Sequence, residues 1–333
     1  MTTSLRAFVL TALLSPAVVA AHAHRPSANP PMPPPAPSPP ADAVCVDAGQ
    51  VLGPADFDVE AGQVVADSSA VLLDDGRVRI YVFAQGKGVV CAISTGTDGL
   101  AFVREEGARM PDGHGMPRAV RLTDGRWRLF FTTGGGIGSA TSGDGLTFTR
   151  EAGMRMTSEA AGFDSDTAAG GQTSGATVVA LADGRYRMYF SDLPRPGDPP
   201  GHHLVKSAVS TDMLAWTIED GVRLGEGAAT ITESSEHPDA IANADGTLTL
   251  YYGRFGGPGS GGVEGLYQST STNGLTFEQE TYTGLFHGND PAALRLPDGT
   301  LLVYYGQFDP GIGGTIRVAR CAARPAAERT RRR

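Results

Sequence analysis

An Asp-Gly pair between two runs of alternating apolar residues occurs five times in the chain, and no other feature restricts the fold as much. The copies read SAVLLDDGRVRIYVF (69–83), RAVRLTDGRWRLFFT (118–132), ATVVALADGRYRMYFS (176–191), DAIANADGTLTLYYG (239–253) and AALRLPDGTLLVYYG (292–306). Alternation with a period of two buries one face of a strand, and Asp-Gly supplies the positive φ that a tight hairpin turn requires. Each copy therefore predicts a β-hairpin. The turn glycines, Gly76, Gly125, Gly184, Gly246 and Gly299, recur every 49 to 62 residues, close to the length of one four-stranded unit in a radial repeat protein.

Four of the hairpins are followed by a second element: ISTGTDGLAF, SATSGDGLTF, SAVSTDMLAW and QSTSTNGLTF. Each reads as a third strand, a Ser/Thr/Asp/Gly turn and a fourth strand that opens on an aromatic residue. The turns resemble the Asp-box turns of sialidases, which are structural. Five such units predict an all-β fold, a five-bladed β-propeller with four-stranded blades, whose radial closure leaves no long exposed sheet edge. From Asp67 to Cys321 the chain supplies four strands to four blades but only three to the fifth, which ends in GGTIRVARC. The upstream segment AVCVDAGQVL supplies the missing outermost strand and closes the ring. That pairing sets Cys45 beside Cys321 and predicts a disulfide, with Cys91 free.

The 333 residues include 45 Gly and 23 Pro with only 19% charged side chains, which favours many turns over long helices. The net charge is −9 and the one basic run, RTRRR, is C-terminal, so no phosphate-tracking surface and no nucleic-acid partner are expected. Residues 1–23 read as a cleaved signal peptide: Arg6, the apolar run AFVLTALLSPAVVA, then the small residues AHA. The run is too short to span a bilayer, so a secreted or periplasmic protein, not held in a membrane, is expected. Residues 24–43 form a Pro-rich linker, 44–323 the propeller and 324–333 a basic tail. A monomer is expected.

If the Asp-Gly turns form the bottom of the propeller, the starts of the first strands share the top with the loops that join strands two and three. The aligned starts read ADSSAV, HGMPRAV, QTSGAT, EHPDAI and NDPAAL. They bring Asp67, His114, Arg118, Gln172 and Thr173 toward one end of the channel, together with Glu236, His237, Asp239, His287, Asn289 and Asp290. The loops add Asp192, Arg195, Arg254 and Phe255, and also His202 and His203, which read as solvated loop residues. Ionisable groups from several blades meeting at one end, with only repetitive Asp-Gly chemistry at the other, constitute a candidate binding site.

An aspartate at the first start, a proline in the second, Glu-x-Pro at the fourth and a histidine before the fifth resemble the pattern of five-bladed glycoside hydrolases of the family 43 and family 32 type. The resemblance covers residues 66–321. It implies a carbohydrate substrate, with Asp67 in the position of the general base or nucleophile and Glu236 in that of the general acid. Where the pattern has a blade-three aspartate, this chain reads QTSGAT, and Asp239 is expected to replace part of its effect by raising the proton affinity of Glu236. His114, Arg118, Gln172, His237, Arg254, Phe255, His287, Asn289 and Asp290 are expected to bind substrate, with Phe286 and Phe308 as further stacking surfaces. Glycosidases need two carboxyl groups, about 6.5–9.5 Å apart for inversion or about 5–5.5 Å for retention.

The chain has no phosphate-binding loop, no His-Glu-x-x-His helix and no Cys-x-x-Cys pair. No cofactor is expected to be required, and local spacing marks no metal ligands, although a calcium ion in the central channel is compatible with the resemblance. A non-catalytic propeller that binds a carbohydrate or another ligand is the alternative reading.

Overall fold

The computed structural model describes residues 44–162, 172–193, 203–254, 263–278 and 280–322. The expected signal peptide, linker and basic tail lie outside the described residues, as do Arg195, His202 and Phe255. The described chain forms five four-stranded antiparallel sheets. Blade one comprises β2 (Val65–Leu72), β3 (Val78–Ala84), β4 (Gly88–Ser94) and β5 (Phe102–Met110), and blade two β6 (Gly115–Arg121), β7 (Trp127–Thr133), β8 (Gly136–Ser142) and β9 (Thr149–Arg150). Blade three comprises β10 (Gln172–Ala180), β11 (Tyr186–Leu193), β12 (Val205–Ser210) and β13 (Thr217–Ile218), and blade four β14 (Glu236–Ala242), β15 (Leu248–Arg254), β16 (Gly265–Ser271) and β17 (Thr281–Phe286). The fifth takes β18 (Asn289–Arg295), β19 (Leu301–Asp309) and β20 (Gly313–Cys321), and its outermost strand is β1 (Cys45–Leu52).

The strand that completes blade five is the N-terminal one, as the strand count requires. β1 runs antiparallel to β20 with Cys45 opposite Cys321. Those two cysteines form a disulfide, and Cys91 is free and buried in β4. Apolar side chains fill the spaces between neighbouring blades. Tyr81, Val89 and Cys91 of blade one, for example, pack with Trp127, Leu129 and Phe131 of blade two.

Polar groups tie the blades together further out. Arg79, Arg128 and Arg187 occupy the same place on successive second strands. Each pairs within its own blade with a glutamate, Glu105, Glu151 or Glu219. Each also donates from Nη1 to a turn carbonyl of the next blade, that of Asp144, Asp212 or Asn273, at 3.1, 2.8 and 2.9 Å. The sialidase-like turns thus act as the receiving half of an inter-blade joint.

The innermost strands β2, β6, β10, β14 and β18 share an irregularity that governs the channel. In each, a pair of residues stands opposite a single residue of the second strand, so the register slips by one: between Ala66 and Ser69, Gly115 and Arg118, Ser174 and Thr177, Glu236 and Asp239, and Asn289 and Ala292. The first residue of each pair has positive φ: Asp67 (58°), Met116 (47°), Gly175 (60°), His237 (45°) and Asp290 (48°). A bulge turns an extra side chain out of the sheet and leaves backbone groups unpaired. Here the neighbouring blade satisfies amides in and beside the bulge. Ala119 N donates to Ser69 Oγ, Gly175 N to Thr132 Oγ1, His237 N to Ser191 Oγ and Ala240 N to Thr177 Oγ1, at 2.9–3.2 Å. Ala293 N donates to an Asp239 carboxylate oxygen, and Ser68 Oγ returns to the Asp290 carbonyl to complete the circle.

Two outcomes follow from these joints. Cys45→Ser should lower thermal stability by about 2–5 kcal/mol, since the disulfide closes a very long loop, and non-reducing peptide mapping of the wild type should recover Cys45 linked to Cys321. Burial works against the charge on Glu151, but its bonds to Arg128 and Ser139 outweigh this and hold the carboxyl below its usual pKa of 4.5. A lowered folded-state pKa gives stability that is present above the unfolded value and lost as the pH falls through the folded one. Melting temperatures should therefore drop on acidification below pH 4.5, and Arg128→Met should shrink that dependence, read by thermal scans across the range.

Candidate active site at the channel mouth

The five positive-φ residues are equivalent positions around one axis, so their side chains converge whatever they are. In blades one, four and five they are Asp67, His237 and Asp290. One potential donor atom from each lies within 4.8 Å of the others. They line a small open-mouthed cavity together with Met116, Arg118 and Gly175. Among the described residues only seven non-glycine residues have positive φ, and four of them are Asp67, Met116, His237 and Asp290. Such backbone costs free energy and gathers at functional sites.

Asp290 contacts His237 Nδ1 through Oδ1, and Met116 N donates to Asp67 Oδ2 at 3.3 Å. Burial and then the Asp290 carboxylate raise the Asp67 pKa to about 7, against the pull of His237 and the Met116 amide. Burial opposes the charge on His237, but Asp290 and then Glu236 outweigh it and lift its pKa to about 10. Glycine at 175 gives the imidazole its space: a Cβ there would come within 3.1 Å of His237 Cδ2.

Glu236 stands one residue before this ring and is only 1% exposed. It is not among the cavity-lining residues. His203 Nε2 lies 3.0 Å from Glu236 Oε2, and Asn289 Nδ2 donates to Oε1 at 3.4 Å. His203 was expected to be solvated and is instead buried, its Nδ1 donating to the Asp192 carbonyl at 3.0 Å. Burial opposes its charge, and Glu236 more than offsets this and raises its pKa. The sequence could not reveal this pairing, because His203 ends a Pro-rich loop that gives no sign of folding inward.

Asp239 lies two residues beyond His237 and is spent on structure. Its Oδ1 accepts from Thr177 Oγ1 at 2.8 Å and from Ala240 N at 2.9 Å, and lies 2.9 Å from Arg118 Nη1; its Oδ2 accepts from Ala293 N. The expectation that Asp239 acts on Glu236 at the mouth meets a carboxylate whose oxygens are already engaged. Arg118 is the cavity's guanidinium, and it reaches across the channel from blade two to blade four.

The remaining expected residues lie around this centre. His114 Nδ1 meets the Pro111 carbonyl at 3.0 Å, its ring edge-on to Phe131. His287 rests on Phe286 with Nδ1 3.3 Å from Glu264, and is well exposed. Arg254 is buried against Glu233, Glu280 and the Tyr267 ring rather than in the cavity. Phe308 is exposed on β19. The backbone of Gln172 pairs with Leu193. The blade-three counterpart of Asp67 is Gly175, three residues after Gln172, while Met116 and Ser68 are cavity residues the strand-start alignment passed over.

Removing Asp239 should test the structural role directly. Asp239→Ala leaves the Arg118 guanidinium buried without its partner, a change that typically costs about 3–5 kcal/mol. Arg118→Met removes the charge as well and should cost less, with urea denaturation as the measurement.

No protein-family model matches the chain, and no curated protein matches it by sequence. Solved structures match it in fold. A thermostable family-43 glycoside hydrolase superposes with a TM-score of 0.56 at 14% identity, covering 78% of this chain and 91% of its own. An endo-1,4-β-xylanase from Bacteroides thetaiotaomicron gives 0.56 at 16% identity, with 82% and 92% covered. An N-acetylgalactosamine deacetylase from F. plautii gives 0.59 at 14% identity, with 84% and 95% covered. The five-bladed architecture of the glycoside hydrolases, expected from the blade-start motifs, is therefore the fold of this chain.

Proposed function

We propose that this chain is an exported carbohydrate hydrolase that cleaves a glycosidic bond of an oligosaccharide or polysaccharide at the channel mouth. The observation that carries the reading is the convergence of Asp67, His237 and Asp290, on strained backbone from three blades, in the open cavity of a fold shared with glycosidases. Asp67 and Asp290 touch each other and act as one unit, on the side that activates water. The second carboxyl group that glycosidic cleavage requires is Glu236, held behind the rim by His203 and Asn289. Catalytic hydrogen bonds often tighten only once substrate is bound, so Glu236 reaches the leaving oxygen by turning past His237. The exposed groups around the mouth, His287 and Phe308, offer a sugar a hydrogen-bonding and a stacking surface.

A second reading is hydrolysis of an acyl substituent on a sugar. The position of Glu236 outside the cavity favours it, because deacylation needs an activated water but no second carboxyl group across a glycosidic bond. One of the structures that share the fold is a sugar deacetylase. Assaying both products on one glycan panel separates the two readings. Reducing-end release by the wild type, cut about 10²- to 10⁴-fold in Glu236→Gln and Asp67→Asn, supports glycosidic cleavage. Acetate release without new reducing ends supports deacylation. Neither product from any substrate, with glycan binding intact, leaves a sugar-binding propeller.

A further inference from the structure

We propose that Asp67, His237 and Asp290 form a binding site for one divalent transition-metal ion of the zinc or manganese class. The three donors occupy the same structural position in three blades, so each points at the axis by the geometry of its bulge rather than by a flexible rotamer. Their donor atoms fall within 4.8 Å of one another, close to the roughly 4 Å separating donors on opposite sides of one ion at bonds of about 2.0–2.2 Å. A second observation is independent of that clustering. His237 is only 7% exposed and lines the cavity, yet its Nε2 has no hydrogen-bond partner. Buried polar atoms are nearly always paired, and a metal ion satisfies an imidazole nitrogen as a hydrogen bond does.

Two carboxylates face each other here, and the one guanidinium in the cavity wall, Arg118, is committed to Asp239. The Met116 amide orients Asp67. Calcium is the ion the fold resemblance would suggest, but it takes six to eight oxygen ligands. One imidazole with two carboxylates suits ions that accept both nitrogen and oxygen. Three protein donors leave coordination positions open toward the cavity, where such an ion binds water and lowers its pKa. The inference goes beyond the proposed function and does not depend on which sugar bond is cut.

Metal content and stability, measured without any substrate, test it. The purified, tag-free protein is stripped with chelator, equilibrated with Zn²⁺, Mn²⁺ or Ca²⁺ in turn, desalted and assayed by elemental mass spectrometry and thermal scans. The expected result is about one equivalent of Zn²⁺ or Mn²⁺ retained, with a melting temperature raised by the bound ion. His237→Gln and, as a second variant, Asp290→Asn should abolish retention while keeping the circular dichroism of the wild type. His287→Gln, at the exposed rim, should retain the ion. Folded wild type that retains neither Zn²⁺ nor Mn²⁺, retention of Ca²⁺ alone, or retention that survives both cavity variants would overturn the proposal. Loss of sugar hydrolysis with metal retention intact would instead count against the functional reading.

Discussion

The structure depends on how five short bulges are satisfied. Each innermost strand carries near its start two residues that face a single residue of its own sheet, and an unpaired buried amide costs about as much as a lost hydrogen bond. In this ring the neighbouring blade supplies acceptors, through Ser69, Thr132, Thr177, Ser191 and Asp239. Local irregularity is thereby converted into inter-blade cohesion at the axis, where the wedge-shaped blades come closest. The outer arginines do the same at larger radius, by joining second strands to the turns of the next blade.

The same arrangement separates the roles of residues only two apart. The positive-φ position points into the cavity, and the position two residues later points at the next blade. His237 and Asp239 are two residues apart and both ionisable, yet the first meets the cavity and the second is consumed by Arg118, Thr177 and backbone amides. Arg118 occupies the blade-two counterpart of Asp239, where an acceptor would bind the following blade. Being a donor, it crosses the channel and pairs with Asp239. This departure from the acceptors Ser69, Thr177 and Asp239 creates the charged strut beneath the mouth.

The blade count, the ring closure and the Cys45–Cys321 bond were legible in the sequence because hairpin periodicity and strand number are local, additive signals. The residues at the mouth were legible as a set for the same reason: strand starts can be aligned by eye. Their individual roles were not. A slip of one residue inside a strand leaves no compositional mark, so Glu236, which precedes the bulge, reads as lining the mouth, and Gln172, Thr173 and Ser174 stand in the alignment where Gly175 belongs. Asp67, His237 and Asp290 share the second position of ADSSAV, EHPDAI and NDPAAL, but the alignment alone does not tell that this position, rather than its neighbours, faces the axis. Reading Met-Pro, His-Pro and Asp-Pro as equivalent dipeptides in blades two, four and five would have been the one available clue.

Equivalence around the ring also explains how such a site can exist without local sequence signature. A helix brings ligands together by spacing of three or four residues, and a loop by short-range turns. A propeller does so by repetition: any residue type placed at the bulge is delivered to the axis, and its chemistry is set by what the other four blades place there. With Met116 and Gly175 in two of the positions, the centre has room on one side and three ionisable groups on the other. Glycine at 175 is the enabling choice, since a side chain there would press on the His237 ring. The ionisable groups Asp67, His237 and Asp290 come from blades one, four and five, and Met116 and Arg118 of blade two with Gly175 of blade three complete the cavity wall.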